Sequence, residues 1–304
     1  MPSLFSQLWE AISKRDDFQR KFLACNAADL SDACRFHAEA YINYAIGEGE
    51  SIDSLAEHYL RFVAMTCEEQ LYFFREGKYR HSTLKEVEES VYGLPEYMRM
   101  YMYGLAISNF LWPQHRLLAD FFGTYLDTVN GGEYLEIGPG HGWFFLQALS
   151  RGVFQRCLGV DISQSSIDMT KTMVEASAFS RKNEFSLEYS DFLTCEFDRC
   201  FDTIVMGEVL EHAEQPEMFL DRIAHILKPT GTSFITTCIN SPAIDHISLF
   251  SSVDDIESMF AASGLSIRDR VYIPYTGKTV EQCQSKKMPI NVGYILKVSG
   301  KNML

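Results

Sequence analysis

The sequence has little that would point to a metal, a membrane or a nucleic acid. Its eight cysteines are scattered and form no Cys-x-x-Cys pair, so the spacing of a structural zinc site is missing. No apolar run approaches the roughly 20 residues that a membrane helix needs. No basic segment followed by an apolar stretch marks a leader peptide. No Lys/Arg-rich run stands out in a chain of net charge −14, which makes nucleic acid a poor partner.

These absences favour a globular protein that acts on small molecules. We expect a cytoplasmic protein with reduced, mostly buried thiols, without membrane or nucleic-acid partners, and either a monomer or a homodimer. A hydrophobic content of 46% is ample for a core, and 304 residues exceed the usual size of a single core. The length therefore predicts two domains or one domain with a large appendage.

The pattern along the chain changes near Asn130-Gly-Gly132. Before it, apolar residues recur at helical spacing over 4–22, 54–74 and 97–125. After it, strands alternate with helices, which is typical of βαβ units and a parallel sheet. The strands are expected over 134–137, 157–160, 185–189, 201–206 and 232–237, with a tail pair over 265–272 and 292–298. The sequence thus predicts an all-helical cap over residues 1–128 and an α/β domain over 129–304.

The first predicted strand ends in an acidic residue and three alternating glycines, within Tyr134-Leu-Glu-Ile-Gly-Pro-Gly-His-Gly142. Glycines let the backbone turn sharply and approach a ligand. The carboxyl end of a parallel strand is where open α/β folds bind ligands. A carboxylate such as Glu136 would repel a pyrophosphate held at the helix N-terminus. The segment therefore predicts a nucleotide-like site for a positively charged ligand.

Three more strand ends carry residues that could contact such a ligand. Asp161 closes the second strand, where an acidic side chain can accept both hydroxyls of a ribose. Asp191 follows the third strand and can accept from an adenine amino group, with Phe192 beside the ring. The run Gly207–His212 follows the fourth strand and brings carboxylates and an imidazole to the mouth of the cleft.

Together these motifs resemble those of class I S-adenosylmethionine-dependent methyltransferases, and they are similar to the group that includes the ubiquinone-biosynthesis methyltransferases. The glycine loop matches the acidic-x-Gly-x-Gly-x-Gly motif of that family, and Glu208, Glu211 and His212 match its Glu-x-x-Glu-His run. The resemblance implies a Rossmann-like, seven-stranded sheet of order 3-2-1-4-5-7-6 with an antiparallel last strand. It also implies S-adenosyl-L-methionine as cofactor. The residues expected to contact it are Glu136, Gly138, Gly140, His141, Gly142, Asp161, Ile162, Asp191, Phe192, Gly207, Glu208, Val209 and His212.

The candidates for catalysis are His246, Asp245, Tyr101 and His115. Asp245 and His246 follow the fifth strand and could form a base with an orienting acid, although adjacent residues do not face one another; the alternative is a loop that lines the substrate. Tyr101 could reach the methyl from the cap, or pack in its core. His115 could bind an anionic group, or belong to a helix start at Pro113. We expect no metal.

The expected function is transfer of a methyl group from S-adenosylmethionine to an O or N atom, with S and C also open, of a small-molecule metabolite. One alternative is an NAD-dependent oxidoreductase, which would share the glycine loop and Asp161 but prefers the spacing Gly-x-Gly-x-x-Gly. Another alternative is a non-catalytic binding protein on the same fold. The intact cofactor residues argue against it.

Overall fold

The computed structural model describes residues 2–26, 30–92, 94–177, 179, 184–198 and 200–300. Helices precede the sheet, and most begin at a serine or threonine whose side chain accepts from a backbone amide of the first turn. These helices are α1 (Leu4–Arg15), α2 (Asp17–Asn26), α3 (Asp32–Gly47), α4 (Ile52–Glu76), α5 (Leu84–Val87), a π-helical turn (Glu88–Tyr92), α6 (Pro95–Leu111) and α7 (Pro113–Leu126).

The helical stretch predicted over 97–125 is divided in two. Trp112 has extended backbone, with φ −91° and ψ 127°. Pro113 disfavours a helical conformation in the residue before it and lacks the amide needed to continue α6, but it suits the first position of a new helix. Helix α6 therefore ends at Leu111, and α7 begins at Pro113.

Seven strands form one sheet in the order β3-β2-β1-β4-β5-β7-β6. Strands β1 to β5 are parallel, and β7 runs antiparallel to both β5 and β6. The fold class and strand order predicted from the sequence are confirmed. The strands are β1 (Gly132–Ile137), β2 (Phe154–Asp161), β3 (Glu184–Tyr189), β4 (Phe201–Gly207), β5 (Leu227–Ile239), β6 (Leu265–Pro274) and β7 (Ile290–Val298).

Helices cover both faces of this sheet. They are α8 (Trp143–Arg151), α9 (Gln164–Ala176), α10 (Pro216–Ile226), α11 (Val253–Ala262) and α12 (Val280–Ser285), with a 3₁₀ turn at Leu210–His212. Alternate residues of the central strands point to opposite faces, as a pleated strand requires. Phe234 packs with Phe122 and Tyr125 of α7, with ring centroids 4.8 and 5.5 Å apart. Its neighbour Ile235 lies in the core on the side of α10 and α11.

Besides the core on the two faces of the sheet, an apolar cluster joins the cap to the carboxyl ends of the strands. We call it the roof cluster. Its buried members are Phe62, Val87, Val91, Met98, Tyr101 and Met102, and Ile244 and Ile247 after β5 pack against them. The cap therefore lies over the edge of the sheet where β4 and β5 end. The division into domains at residues 128 and 129 stays a prediction.

Two bulk expectations have structural outcomes. Within the described ranges, no helix has both the length and the apolar character needed to cross a bilayer. Only three of the eight cysteines are buried, namely Cys157, Cys238 and Cys283, while another three are exposed. The expectation of mostly buried thiols is therefore wrong, because Cys25 and Cys67 lie on exposed positions of α2 and α4, and Cys200 lies in the loop before β4.

Candidate active site

The glycine loop between β1 and α8 has the backbone that its sequence predicts. Gly138, Gly140 and Gly142 have φ of 67°, 56° and 77°, which glycine adopts without strain. A Cβ at Gly138 would lie 2.6 Å from Val209 Cγ2, and one at Gly142 would lie 2.4 Å from Met173 Cε. The loop therefore packs with its bare backbone against α9 and against the segment that follows β4.

Glu136 lies beneath this loop and is only 2% exposed. Its carboxyl group accepts hydrogen bonds from the Tyr134 hydroxyl and from the backbone amide of Phe145. Burial raises the pKa of Glu136 to about 8, although both hydrogen bonds act in the opposite direction. Without a ligand the group is therefore largely protonated at neutral pH, and it supports the loop and the start of α8 from below.

Asp161, at the end of β2, is tied to the same loop. Its Oδ2 accepts from the amide of Gly140 at 3.3 Å, and its Oδ1 accepts from the amide of Ser163 at 2.8 Å. Burial raises the pKa of Asp161 to about 6, against the effect of these amides. Ile162 beside it is 43% exposed. The pair thus offers a carboxylate and an apolar side chain next to the glycine loop.

Asp191 and Phe192 follow β3 and have separate local roles. Asp191 is exposed, and its Oδ1 accepts from the amide of Leu193 at 2.9 Å. Phe192 is 3% exposed, and its ring stacks on Phe219 and lies near Phe197. This ring belongs to the core, so the expectation that it lies beside a bound adenine needs correction. The ring packs inward because it contacts Phe219 on α10.

The turn after β4 is strained and closely packed. Glu208 has φ of 53°, a region in which a non-glycine residue is uncommon and is often functional. Its amide donates to the Thr236 carbonyl at 3.1 Å. A Cβ at Gly207 would lie 2.5 Å from Phe144 Cε2. Neighbouring strand β5 and helix α8 therefore hold this turn at the mouth of the cleft.

Two carboxyl groups of this turn form a buried pair. Glu211 is fully buried and accepts from the Thr237 hydroxyl at 2.7 Å. Burial raises the pKa of both Glu208 and Glu211, and the charge of Glu208 raises that of Glu211 further. Burial and a nearby like charge both favour the neutral acid. The two groups therefore do not readily carry two negative charges at once.

Next to this pair, four side chains from distant parts of the chain converge. Asp245 is 3% exposed. Its Oδ1 accepts from the Tyr101 hydroxyl at 2.8 Å, and its Oδ2 accepts from the Tyr92 hydroxyl at 3.3 Å. His212 Nδ1 lies 2.9 Å from the backbone carbonyl oxygen of Asp245 and 3.6 Å from its Oδ2. The structure thus brings the predicted residues Tyr101, Asp245 and His212 together.

His246 lies in the same group but is more enclosed. Its Nδ1 is 2.7 Å from the carbonyl oxygen of Ser241, and its ring meets the ring of His212 edge-on at 4.8 Å. Burial lowers the pKa of His246 to about 3. The direct dyad of Asp245 and His246 that the sequence suggested is not formed. His212, from another strand end, takes the place beside Asp245.

His115 lies apart from these side chains. Its Nδ1 is 2.9 Å from Ser108 Oγ, and burial lowers its pKa to about 4. Burial likewise lowers the pKa of His141, in the glycine loop, to about 4, and His141 Nε2 is 3.1 Å from Asn109 Nδ2. His115 therefore makes its contact with Ser108 inside the cap, while His141 links the glycine loop to α6.

Two residues escaped the sequence reasoning. Tyr92 carried no signal beyond belonging to an aromatic-rich segment, yet its hydroxyl reaches Asp245. Asn109 carried none either, since its contact with His141 joins positions 32 residues apart. Both lie on the cap, where residue types alone do not reveal which side chain faces the sheet.

The site also holds groups that are able to bind a metal ion. Two sets of three have ligand atoms within 4.8 Å of one another: Glu211, Cys238 and His246, and His212, Asp245 and His246. In the described residues these atoms already make hydrogen bonds, such as Thr237 to Glu211. The metal-free expectation stays a prediction. Activity that falls on chelation and returns with added divalent metal would contradict it.

Comparison with known proteins assigns the family. The model of a family described as a methyltransferase domain matches residues 113–269, more than half of the chain. The chain belongs to this family. The match begins at the first residue of α7, takes in the whole strand-end site and ends inside β6. It confirms the resemblance to class I methyltransferases, and it does not favour a dehydrogenase.

Individual relatives of this methyltransferase carry more specific names. It is 28% identical over 198 residues to the mitochondrial ubiquinone biosynthesis O-methyltransferase of Dictyostelium discoideum, covering 55% of this chain and 60% of that protein. It is 23% identical over 188 residues to the ubiquinone biosynthesis O-methyltransferase of Sinorhizobium medicae (strain WSM419), covering 56% and 74%. The chain thus spans less than two thirds of the first relative.

Among solved structures, the mitomycin 7-O-methyltransferase MmcR resembles the chain with a TM-score of 0.53 and 11% identity. The match covers 82% of this chain and 72% of that one. At this identity the likeness concerns the fold. It extends beyond the sheet, since 82% of the chain includes part of the N-terminal helices.

Proposed function

We propose that the chain transfers the methyl group of S-adenosylmethionine to a hydroxyl oxygen of a small molecule. Family membership supports methyl transfer, and the ubiquinone biosynthesis O-methyltransferases among its relatives support oxygen over nitrogen, sulfur or carbon. The chemistry of the site is consistent with oxygen, because a hydroxyl must lose a proton and this site holds a suitably oriented imidazole.

The residues of the glycine loop and of the end of β2 fit the cofactor. A Cβ at Gly138 or Gly142 would clash with protein side chains, whereas one at Gly140 would meet nothing closer than the Gly138 carbonyl oxygen at 3.9 Å, so the space beside Gly140 is open to a close ligand. Asp161 is positioned to accept ribose hydroxyls while the Gly140 amide orients it. When bound, S-adenosylmethionine supplies an electrophilic methyl group. The protein then has to orient the acceptor and take its proton.

The orientation of His212 carries the proposal. A carbonyl oxygen only accepts hydrogen bonds, so the 2.9 Å contact to the Asp245 carbonyl places the proton of His212 on Nδ1. Nε2 then keeps its lone pair and can take the hydroxyl proton of the acceptor. The Asp245 carboxylate, 3.6 Å from Nδ1, stabilises the imidazolium that results. The His212 side chain is 21% exposed, which leaves it open to an acceptor.

The test compares His212→Gln with His246→Gln, using catechol as a minimal hydroxyl acceptor. Product is measured by mass spectrometry, and affinity for S-adenosylhomocysteine by calorimetric titration. We expect His212→Gln to lower kcat roughly 100-fold or more, the usual contribution of a general base, with cofactor affinity nearly unchanged. His246→Gln should lower kcat much less.

Two results would count against the proposal. One is wild-type turnover in His212→Gln, which removes the base. The other is binding of NAD in place of S-adenosylmethionine, which returns the chain to the dehydrogenase alternative. Methylation of aniline in preference to catechol would move the acceptor from oxygen to nitrogen.

A further inference from the structure

The space around His212 is rich in acidic groups. Asp245 lies directly beside it, with its carboxylate 3.6 Å from Nδ1. The Glu208 and Glu211 pair lies behind the same turn. The Tyr92 hydroxyl donates to Asp245 at 3.3 Å. Burial raises the pKa of Tyr92, and the charges of Asp245, Asp161 and Glu211 raise it further.

Positive charge does not balance these acids. Two arginines of the cap, Arg80 between α4 and α5 and Arg99 on α6, pair with other acids. Arg80 binds Glu69 at 2.9 Å, and Arg99 binds Glu50 at 2.6 Å. The groups that shift the pKa of Tyr101 are Asp245 and two tyrosines. A negatively charged acceptor beside His212 would therefore lie close to the Asp245 carboxylate.

We propose that the acceptor site rejects molecules that carry a negative charge near the reacting hydroxyl, and that Asp245 is the residue that sets this selection. The inference rests on the proposed function for the position of the acceptor beside His212. Neutral acceptors enter freely, and cationic ones gain from the carboxylate. Such selection by an unfavourable like charge is a general route to specificity.

Asp245 is the acid best placed for this role. Glu211 is fully buried, and burial and the neighbouring Glu208 both raise its pKa, so that pair carries less negative charge. Asp161 is held by the backbone amides of Gly140 and Ser163. The Asp245 carboxylate instead receives two tyrosine hydroxyls and adjoins the general base. It is therefore the charge that the reacting end of an acceptor approaches.

The experiment measures binding of three matched ligands to the full chain loaded with S-adenosylhomocysteine. They are 4-methylcatechol, which is neutral, 3,4-dihydroxybenzylamine, which is cationic, and 3,4-dihydroxybenzoate, which is anionic. We expect the benzoate to bind roughly 10- to 100-fold more weakly than 4-methylcatechol, as two like charges several ångströms apart at an intermediate dielectric require. The benzylamine should bind at least as tightly as 4-methylcatechol.

Variants assign the effect to its residue. Asp245→Asn should bring the affinity for benzoate to within about threefold of that for 4-methylcatechol, because the like charge is gone. Tyr101→Phe keeps the carboxylate but removes one hydrogen-bond donor that spreads its charge, so it should widen the discrimination. It also tests the inference if Asp245→Asn fails to fold. Asp254→Asn, on the exposed first turn of α11, is the matched control and should leave the ratio unchanged.

Three outcomes overturn the inference: benzoate binding as tightly as 4-methylcatechol, a ratio that Asp245→Asn and Tyr101→Phe both leave unchanged in a folded protein, and no binding by any of the three ligands. The failure of the proposed function looks different. If the expected order of affinities is found but no ligand is methylated, the charge selection stands and the methyl-transfer proposal falls.

Discussion

Asp161 joins two features of the site through one carboxylate. Its oxygens accept the amides of Gly140 and Ser163, which hold it at the edge of the sheet. These two bonds still leave lone pairs, since a carboxylate offers about four acceptor sites. The residue can therefore keep its contact with the loop while it accepts the hydroxyls of a ligand.

Replacing this carboxylate should weaken binding of S-adenosylmethionine. Asp161→Ala removes charge-assisted hydrogen bonds worth about 1.5–3 kcal/mol, so we expect a loss of affinity of roughly 10- to 150-fold in calorimetric titration. Asp168→Ala is the control, because Asp168 is exposed on α9 and contacts Gln164. Wild-type affinity in Asp161→Ala would remove the residue from the cofactor site.

At the scale of elements, the glycine loop depends on both its backbone conformation and the space around it. Gly142 and Gly152 cap the two ends of α8, with φ of 77° and 64°. A Cβ at Gly142 meets Met173 and Thr170, whereas a Cβ at Gly152 meets nothing within 4 Å. The two positions share the backbone strain, and only the first lies in the candidate cofactor site.

Alanine substitutions at Gly142 and Gly152 separate the effect of backbone strain from the effect on the cofactor site. Gly142→Ala and Gly152→Ala should each lower the free energy of unfolding by about 1 kcal/mol or more, because alanine is disfavoured at positive φ. Only Gly142→Ala should also weaken cofactor binding. Thermal unfolding and calorimetric titration measure the two effects. Equal cofactor affinity in both variants would show that the loop does not contact the ligand.

The elements were readable from the sequence where local patterns decide them. All seven strands appear where apolar runs and strand-end acids predicted them, because a parallel sheet buries such runs on both faces. The glycine loop was readable because positive φ restricts the residue type. The acceptor side was not, since the bond from Tyr92 to Asp245 joins positions 153 residues apart, and no period in the sequence encodes such a contact.

For the whole molecule, buried ionisable groups limit the pH range of stability. Burial lowers the pKa of His115, His141 and His246 below its usual value near 6.5. The unfolded chain then binds more protons than the folded one as pH falls below about 6.5, so stability is lost toward acid.

The oligomeric state, monomer or homodimer, and the cytoplasmic location of the protein stay predictions.

Glu136 should limit stability on the alkaline side. Its pKa rises from 4.5 to about 8 on folding, so its contribution is complete below pH 4.5 and is lost as pH rises through 8. We expect the Tm of the cofactor-free protein to fall from pH 6 to pH 9. Over this range Glu136 lowers the free energy of unfolding by up to about 1.4 kcal/mol per pH unit. Glu136→Gln, which mimics the protonated acid, should flatten this slope. The exposed Glu188→Gln should not, and an equally steep fall in Glu136→Gln would exclude Glu136 as the cause.

Helix α6 contacts the site at two points that lie a fixed distance apart along the helix. Tyr101 on it reaches Asp245 after β5, and Asn109 on it reaches His141 after β1. Eight residues of helix separate these contacts, a span of about 12 Å. One inserted residue would turn the second contact by about 100°, and an added two-turn segment would restore the angle but overshoot the span by about 10 Å. Neither change keeps both contacts, so this stretch of the cap does not tolerate a change of length.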